Sequence, residues 1–87
     1  MKVIKQFEHL TISGENLYNS PDTVIYWNSI SENNIAQVVG GSFEGNSKVE
    51  VVVPCCLPDV NKVVVCNYVG CYTGAQSYKY VSKPQID

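Results

Sequence analysis

Four cysteines, Cys55, Cys56, Cys66 and Cys71, are the first residues whose type and spacing invite chemistry. All lie in the C-terminal third of the chain, and three outcomes stand open. In an oxidising compartment they form one or two disulfides, and four cysteines allow three connectivities. Cys55 and Cys56 point to opposite sides of an extended chain, so each is expected to bond to one of Cys66 and Cys71. Closing loops of about 10–16 residues in this way contributes roughly 3 kcal/mol on the chain-entropy account. In a reducing compartment the same residues are buried free thiols. Four thiolates on zinc would need a Cys-x-x-Cys knuckle to fold two ligands onto one ion, and the spacing lacks it. No metal or cofactor is expected.

His9 is the one histidine. It stands beside Glu8, with no serine or cysteine placed near it by sequence, and reads as a solvated or capping side chain rather than a catalytic base. The carboxylates Glu8, Glu15, Asp22, Glu32, Glu44, Glu50, Asp59 and Asp87 are spread singly. No paired acids, Asp-x-Asp run or Gly-rich phosphate loop appears. An enzyme is therefore not expected. Tyr18, Tyr68 and Tyr72 fall at strand ends and turns, where a ring supplies contact area and a hydroxyl at low entropy cost. They are the binding-surface candidates for a protein or sugar ligand, against the plainer role of capping the ends of the fold. The asparagines of the loops form no Asn-x-Ser/Thr sequon, so N-glycosylation is not expected.

What positions these residues is a set of short strands. Eighty-seven residues suit one domain, with 45% apolar residues and a formal charge of −2. There is no arginine, and Lys2, Lys5, Lys48, Lys62, Lys79 and Lys83 are scattered, so nucleic-acid binding is not expected. No run approaches the ~20 apolar residues that cross a bilayer, and the N-terminus lacks an apolar h-region. Apolar residues alternate or run in short blocks rich in valine and aromatics, with turn residues between them about every 8–12 positions. This pattern predicts an all-β fold of about seven short antiparallel strands, a sandwich or a small barrel. Alternation points Leu10 with Ile12, Ile25 with Trp27, Val49 with Val51 and Val53, Val63 with Val65, and Tyr78 with Tyr80 inward. The indole N–H of Trp27 is expected to find an acceptor. The domain is expected to span 1–82, with 83–87 as a tail or linker stub.

Leu10-Thr11-Ile12-Ser13-Gly14-Glu15-Asn16-Leu17 resembles the opening signature of the IPT/TIG family of immunoglobulin-like domains, a short strand running into Gly-x-Asn-hydrophobic. Val24-Ile25-Tyr26-Trp27-Asn28 is similar to the family's second block, and Val49-Glu50-Val51-Val52-Val53-Pro54 to its third. Val63-Val64-Val65 and Ser77-Tyr78-Lys79-Tyr80 match its last two strands. The resemblance covers roughly residues 3–81 and implies an immunoglobulin-like β-sandwich of about seven short antiparallel strands in two sheets. At its first block Gly14 is expected to take a positive φ and Asn16 to fix the turn through its side chain, with Leu17 tucked over the end of the sandwich. The chain departs from the pattern at Cys55-Cys56-Leu57-Pro58-Asp59 and around Gly70-Cys71-Tyr72. Phe43-Glu44-Gly45 and Tyr72-Thr73-Gly74 also resemble the aromatic-x-Gly corner of βγ-crystallins, but the second copy lies too near the C-terminus to complete that motif.

The resemblance implies a non-catalytic binding or spacer module of a cell-surface or secreted protein. Its partners would be a protein or carbohydrate ligand, or neighbouring domains of a longer chain. Two alternatives use the same fold differently: an intracellular dimerisation domain of the transcription-factor type, as a homodimer, or a small phage or virion decoration subunit.

Overall fold

Alternation of apolar and polar side chains is realised strand by strand in the computed structural model of the protein, which describes residues 1–81. The expected tail at 83–87 and Ser82 lie outside the described residues. Nine short strands follow one another: β1 (Lys2–Lys5), β2 (His9–Ser13), β3 (Val24–Trp27), β4 (Gln37–Val38), β5 (Lys48–Val52), β6 (Val60–Asn61), β7 (Val63–Cys66), β8 (Cys71–Thr73) and β9 (Tyr78–Val81). The described residues contain no α-helix, only a 3₁₀ turn at Glu32–Asn34 whose start is capped by Ser31 Oγ accepting from the Asn33 N–H at 3.4 Å. Among the described residues no helix is long and apolar enough to cross a membrane.

The strands form three small sheets with orders β1-β9-β6, β2-β5-β4 and β3-β7-β8. Every pairing is antiparallel except β1 with β9, which run parallel from Lys2 opposite Tyr78 to Lys5 opposite Val81. β6 and β7 follow one another with only Lys62 between them. Asn28 causes the interruption. Its backbone is left-handed (φ 69°), its N–H donates to the Lys62 carbonyl at 2.8 Å, and its Oδ1 accepts from the Lys62 N–H at 2.9 Å. Both backbone groups of Lys62 are thus satisfied by one asparagine rather than by a neighbouring strand.

Leu10, Ile12, Ile25, Trp27, Val49, Val51, Val53, Val63 and Tyr78 are buried together as alternation predicts, and Tyr80 joins them. Val65 is half-buried and packs against this cluster. Ile4, Leu17 and Ala36 complete the core. Val64 is buried as well, on the opposite face of the sheet from Val63, because β7 is the central strand with Tyr26 and Thr73 in register on either side. Contrary to expectation, the Trp27 indole N–H is buried with no acceptor among the described residues. Asn61, the one buried polar residue among those described, is by contrast fully engaged. Its Oδ1 accepts from Asn28 Nδ2 and its Nδ2 donates to the Pro58 carbonyl, both at 2.8 Å.

Burial pushes the Tyr78 phenol above its ordinary pKa. The folded state thus favours the neutral ring. Its contribution is complete below the unfolded value of about 10 and is lost as pH rises through the higher folded value. Alkaline unfolding followed by circular dichroism is expected to shift to higher pH in Tyr78→Phe, which has no phenol to ionise.

The turn after β2 departs from its expected geometry. Gly14 does not have a positive φ; Asn16 is the left-handed residue (φ 60°). A Cβ on Gly14 would come within 3.7 Å of Leu17 Cδ1, ordinary contact, so the glycine lies under the buried leucine rather than making the turn. The Asn16 side chain bonds to the Tyr18 hydroxyl, not to its own loop backbone, and the loop is held instead by the Gly14 N–H to Ser47 O and Leu17 N–H to Asn46 O bonds, each 2.8 Å.

Candidate functional site

β7 and β8 form a hairpin whose turn is closed by Asn67 and Gly70, which exchange backbone hydrogen bonds at 2.9 and 3.2 Å. Asn67 Oδ1 also accepts from the Val69 N–H at 2.9 Å and the Gly70 N–H at 3.3 Å, so one asparagine holds the tip. Its Nδ2 donates to the Asn16 carbonyl at 3.3 Å and ties the hairpin to the loop after β2. One step from the turn, Cys66 and Cys71 face each other in register and are joined as a disulfide.

That pairing corrects the expected connectivity. Cys55 and Cys56 are both exposed free thiols. The extended geometry assumed for them fails because Cys56 is left-handed (φ 71°). Hydrogen bonding with the Cys55 side chain raises the Cys56 pKa above its ordinary value. The shift moves Cys56 further toward the protonated thiol, the less reactive form. Cys66 and Cys71 lie only 5 positions apart in sequence, so their bond closes a short loop and contributes about 2 kcal/mol on the chain-entropy account.

Between this hairpin and the end of β2 lies an open cleft of about 800 Å³. Val63, Val65 and Tyr78 line its floor, and Leu17, Tyr18 and Tyr72 are among the residues around it. The three candidate tyrosines are thus brought to one region. Tyr18 is half-buried and stacks on Tyr68, with ring centroids 6.4 Å apart and planes 28° off parallel. Tyr68, Val69 and Tyr72 are 74%, 75% and 73% exposed. Three large side chains left in water on one hairpin form an apolar contact surface, and the Asn67 bonds and the disulfide restrict its motion.

Tyr18 and Tyr68 lie in loops as the sequence implied, whereas Tyr72, expected at a strand end or turn, is the middle residue of β8; sequence reasoning missed Val69 and Asn67. The Asn-x-x-Gly spacing of a closed turn was the available signal for Asn67. It also missed Phe7, an exposed left-handed residue (φ 68°) at the step from β1 to β2. His9 lies away from the cleft, with Nδ1 3.4 Å from Glu50 Oε2; both side chains are well exposed, so the pair adds little stability. Among the described residues no three His, Cys, Asp or Glu side chains converge on a common point. No protein-family model matches the chain, and neither a curated protein nor a solved structure is detectably similar to it.

Proposed function

We propose that the protein is an immunoglobulin-like sandwich serving as a non-catalytic binding or spacer module of a cell-surface or secreted protein. Counting β6 with β7 and β8 with β9, each pair interrupted by only a few residues, turns nine strands into seven. On that count β2-β5-β4 is one layer, and the other two sheets merge through their shared runs into a second. The Cys66–Cys71 bond supports an oxidising compartment.

The observation that carries the binding role is the exposed, turn-locked group of Tyr68, Val69 and Tyr72 beside the cleft. A rigid aromatic surface loses little side-chain entropy when it docks, and this one suits a protein or a sugar face. The test is to probe arrays of purified surface-protein ectodomains and of glycans with the wild-type domain, Tyr18→Ala and Tyr68→Ala. A specific wild-type interaction weakened about tenfold or more by either change is expected, the size of one aromatic anchor. Binding unaffected by both substitutions would remove the cleft from the function.

A further inference from the structure

The Asn67–Gly70 bonds fix the phase of the whole β7–β8 ladder. In an antiparallel pair, bonded and unbonded positions alternate. Asn67 with Gly70 is bonded, so Cys66 with Cys71 is not, Val65 with Tyr72 is, and Val64 with Thr73 is not. The Gly74 N–H to Val63 carbonyl bond of 2.8 Å falls where this count puts the next bonded position. The backbone groups of Tyr72 therefore turn inward to β7, while the N–H and C=O of both Cys71 and Thr73 turn outward. β9 has neighbours on both sides, β1 and β6, whereas β8 has β7 alone. Among the described residues, nothing pairs with the edge at Cys71 and Thr73.

Other edges carry the usual safeguards against pairing with another chain. β1 bears Lys2 and Lys5, β2 is flanked by Glu8 and Glu15, and β4 and β6 are two residues each. β3 is partly covered by the Ala36 N–H to Ile25 carbonyl bond of 2.7 Å and the bridge from Tyr26 to Ile35. β8 has no such guard. From Val63 to Tyr78 the chain contains no charged residue at all.

We infer that β8 pairs antiparallel with β8 of a second copy of this chain, about a two-fold axis through Tyr72. The phase of the outward groups fixes the register of this pairing. Cys71 and Thr73 lie symmetrically about Tyr72, so Cys71 of one copy exchanges two backbone hydrogen bonds with Thr73 of the other, and the reverse pair makes two more. Tyr72 then meets Tyr72 of the second copy at an unbonded position, where facing side chains are closest. A patch without charge meets its own image without repulsion, which a like-charged edge would not. The same contact is isologous and closes at two copies rather than propagating. This inference does not depend on a ligand occupying the cleft.

Sedimentation equilibrium of the wild-type chain from micromolar to millimolar concentration, with Thr73→Pro and Tyr72→Lys alongside, tests it. The proline removes an outward N–H and leaves the β7 ladder intact. The lysine places like charges at the axis and keeps every backbone group, so it reports even if the proline variant unfolds. A monomer–dimer equilibrium is expected for the wild type, weakened about tenfold or more in both variants. Amide exchange supplies a signature: protection of Cys71 and Thr73 should grow with concentration, while Tyr72 is protected throughout. A wild type that stays monomeric would overturn the inference, as would a dimer that leaves the Cys71 and Thr73 amides in fast exchange. Protection of these amides only on adding an unrelated extended peptide would replace the second copy by a foreign strand. Tyr18→Ala and Tyr68→Ala leave this edge intact, so failure of the cleft reading and failure of the dimer are separable.

Discussion

Trp27→Ala is expected to lose about 3–5 kcal/mol of stability, read from urea unfolding by far-ultraviolet circular dichroism. A chain of this size has only about 4–13 kcal/mol in hand, so a large fraction of the variant should be unfolded at physiological temperature. The reason is position as well as size. Trp27 is 2% exposed, ends β3 opposite Val63, and is the largest of the fully buried side chains. Its neighbours are held in register by three sheets and have little freedom to collapse into the space left behind. Trp27→Phe separates the ring from its polar atom. Because the indole N–H has no acceptor among the described residues, phenylalanine forfeits volume but no hydrogen bond, and should cost much less than alanine. A phenylalanine variant as unstable as the alanine one would show that the N–H is in fact bonded, for instance to a buried water.

Asn61→Leu is expected to cost about 2–4 kcal/mol even though leucine has the same branched shape and adds apolar surface. Asn61 is 1% exposed, and the substitution leaves two groups without partners: Asn28 Nδ2 and the Pro58 carbonyl. The asymmetry between making and orphaning a buried hydrogen bond decides the sign, since each stranded group costs about 1–3 kcal/mol while hydrophobic gain at an already filled site is small. Asn28 would keep its two bonds to Lys62, so the strand break should survive while the Pro58 turn loosens. Thermal unfolding, with amide exchange at Asn61 and Lys62, distinguishes a general loss of stability from local opening. A variant as stable as the wild type would show that water replaces both partners.

Much of the layering was legible because it rests on a period of two. Leu10, Ile12, Val49, Val51 and Val53 alternate with exposed or half-exposed residues, and all five are buried. Features set by a single backbone angle or a distant partner were not legible. Nothing in the local pattern around Lys62 marks a strand break, because its cause is Asn28, 34 positions away. Cys66 and Cys71 pair because a hairpin sets them opposite each other, and the left-handed Cys56 upset a pairing argued from an extended chain. At the candidate site the tyrosine types were visible, but of the three only Tyr18 and Tyr68 stand in loops, and Tyr72 lies within β8. Their convergence depends on Asn67 reaching the Asn16 carbonyl across 51 positions, which no local reading contains. Val64 shows the converse error: a central strand with cover on both faces buries consecutive residues, and alternation alone would leave one of them in water.

The parallel seam between β1 and β9 has a mechanical consequence. These two strands lie side by side with the same polarity, Lys2 beside Tyr78 and Lys5 beside Val81. A pull applied between Lys2 and Val81 drags β1 backward and β9 forward along their common axis. The backbone bonds of the seam are then sheared together, where an antiparallel pair pulled from its open end would unzip bond by bond. Tension transmitted along the chain would therefore meet its resistance at the seam first, before it reached the β7–β8 hairpin, so that the exposed tyrosines could keep their arrangement while the chain bears load.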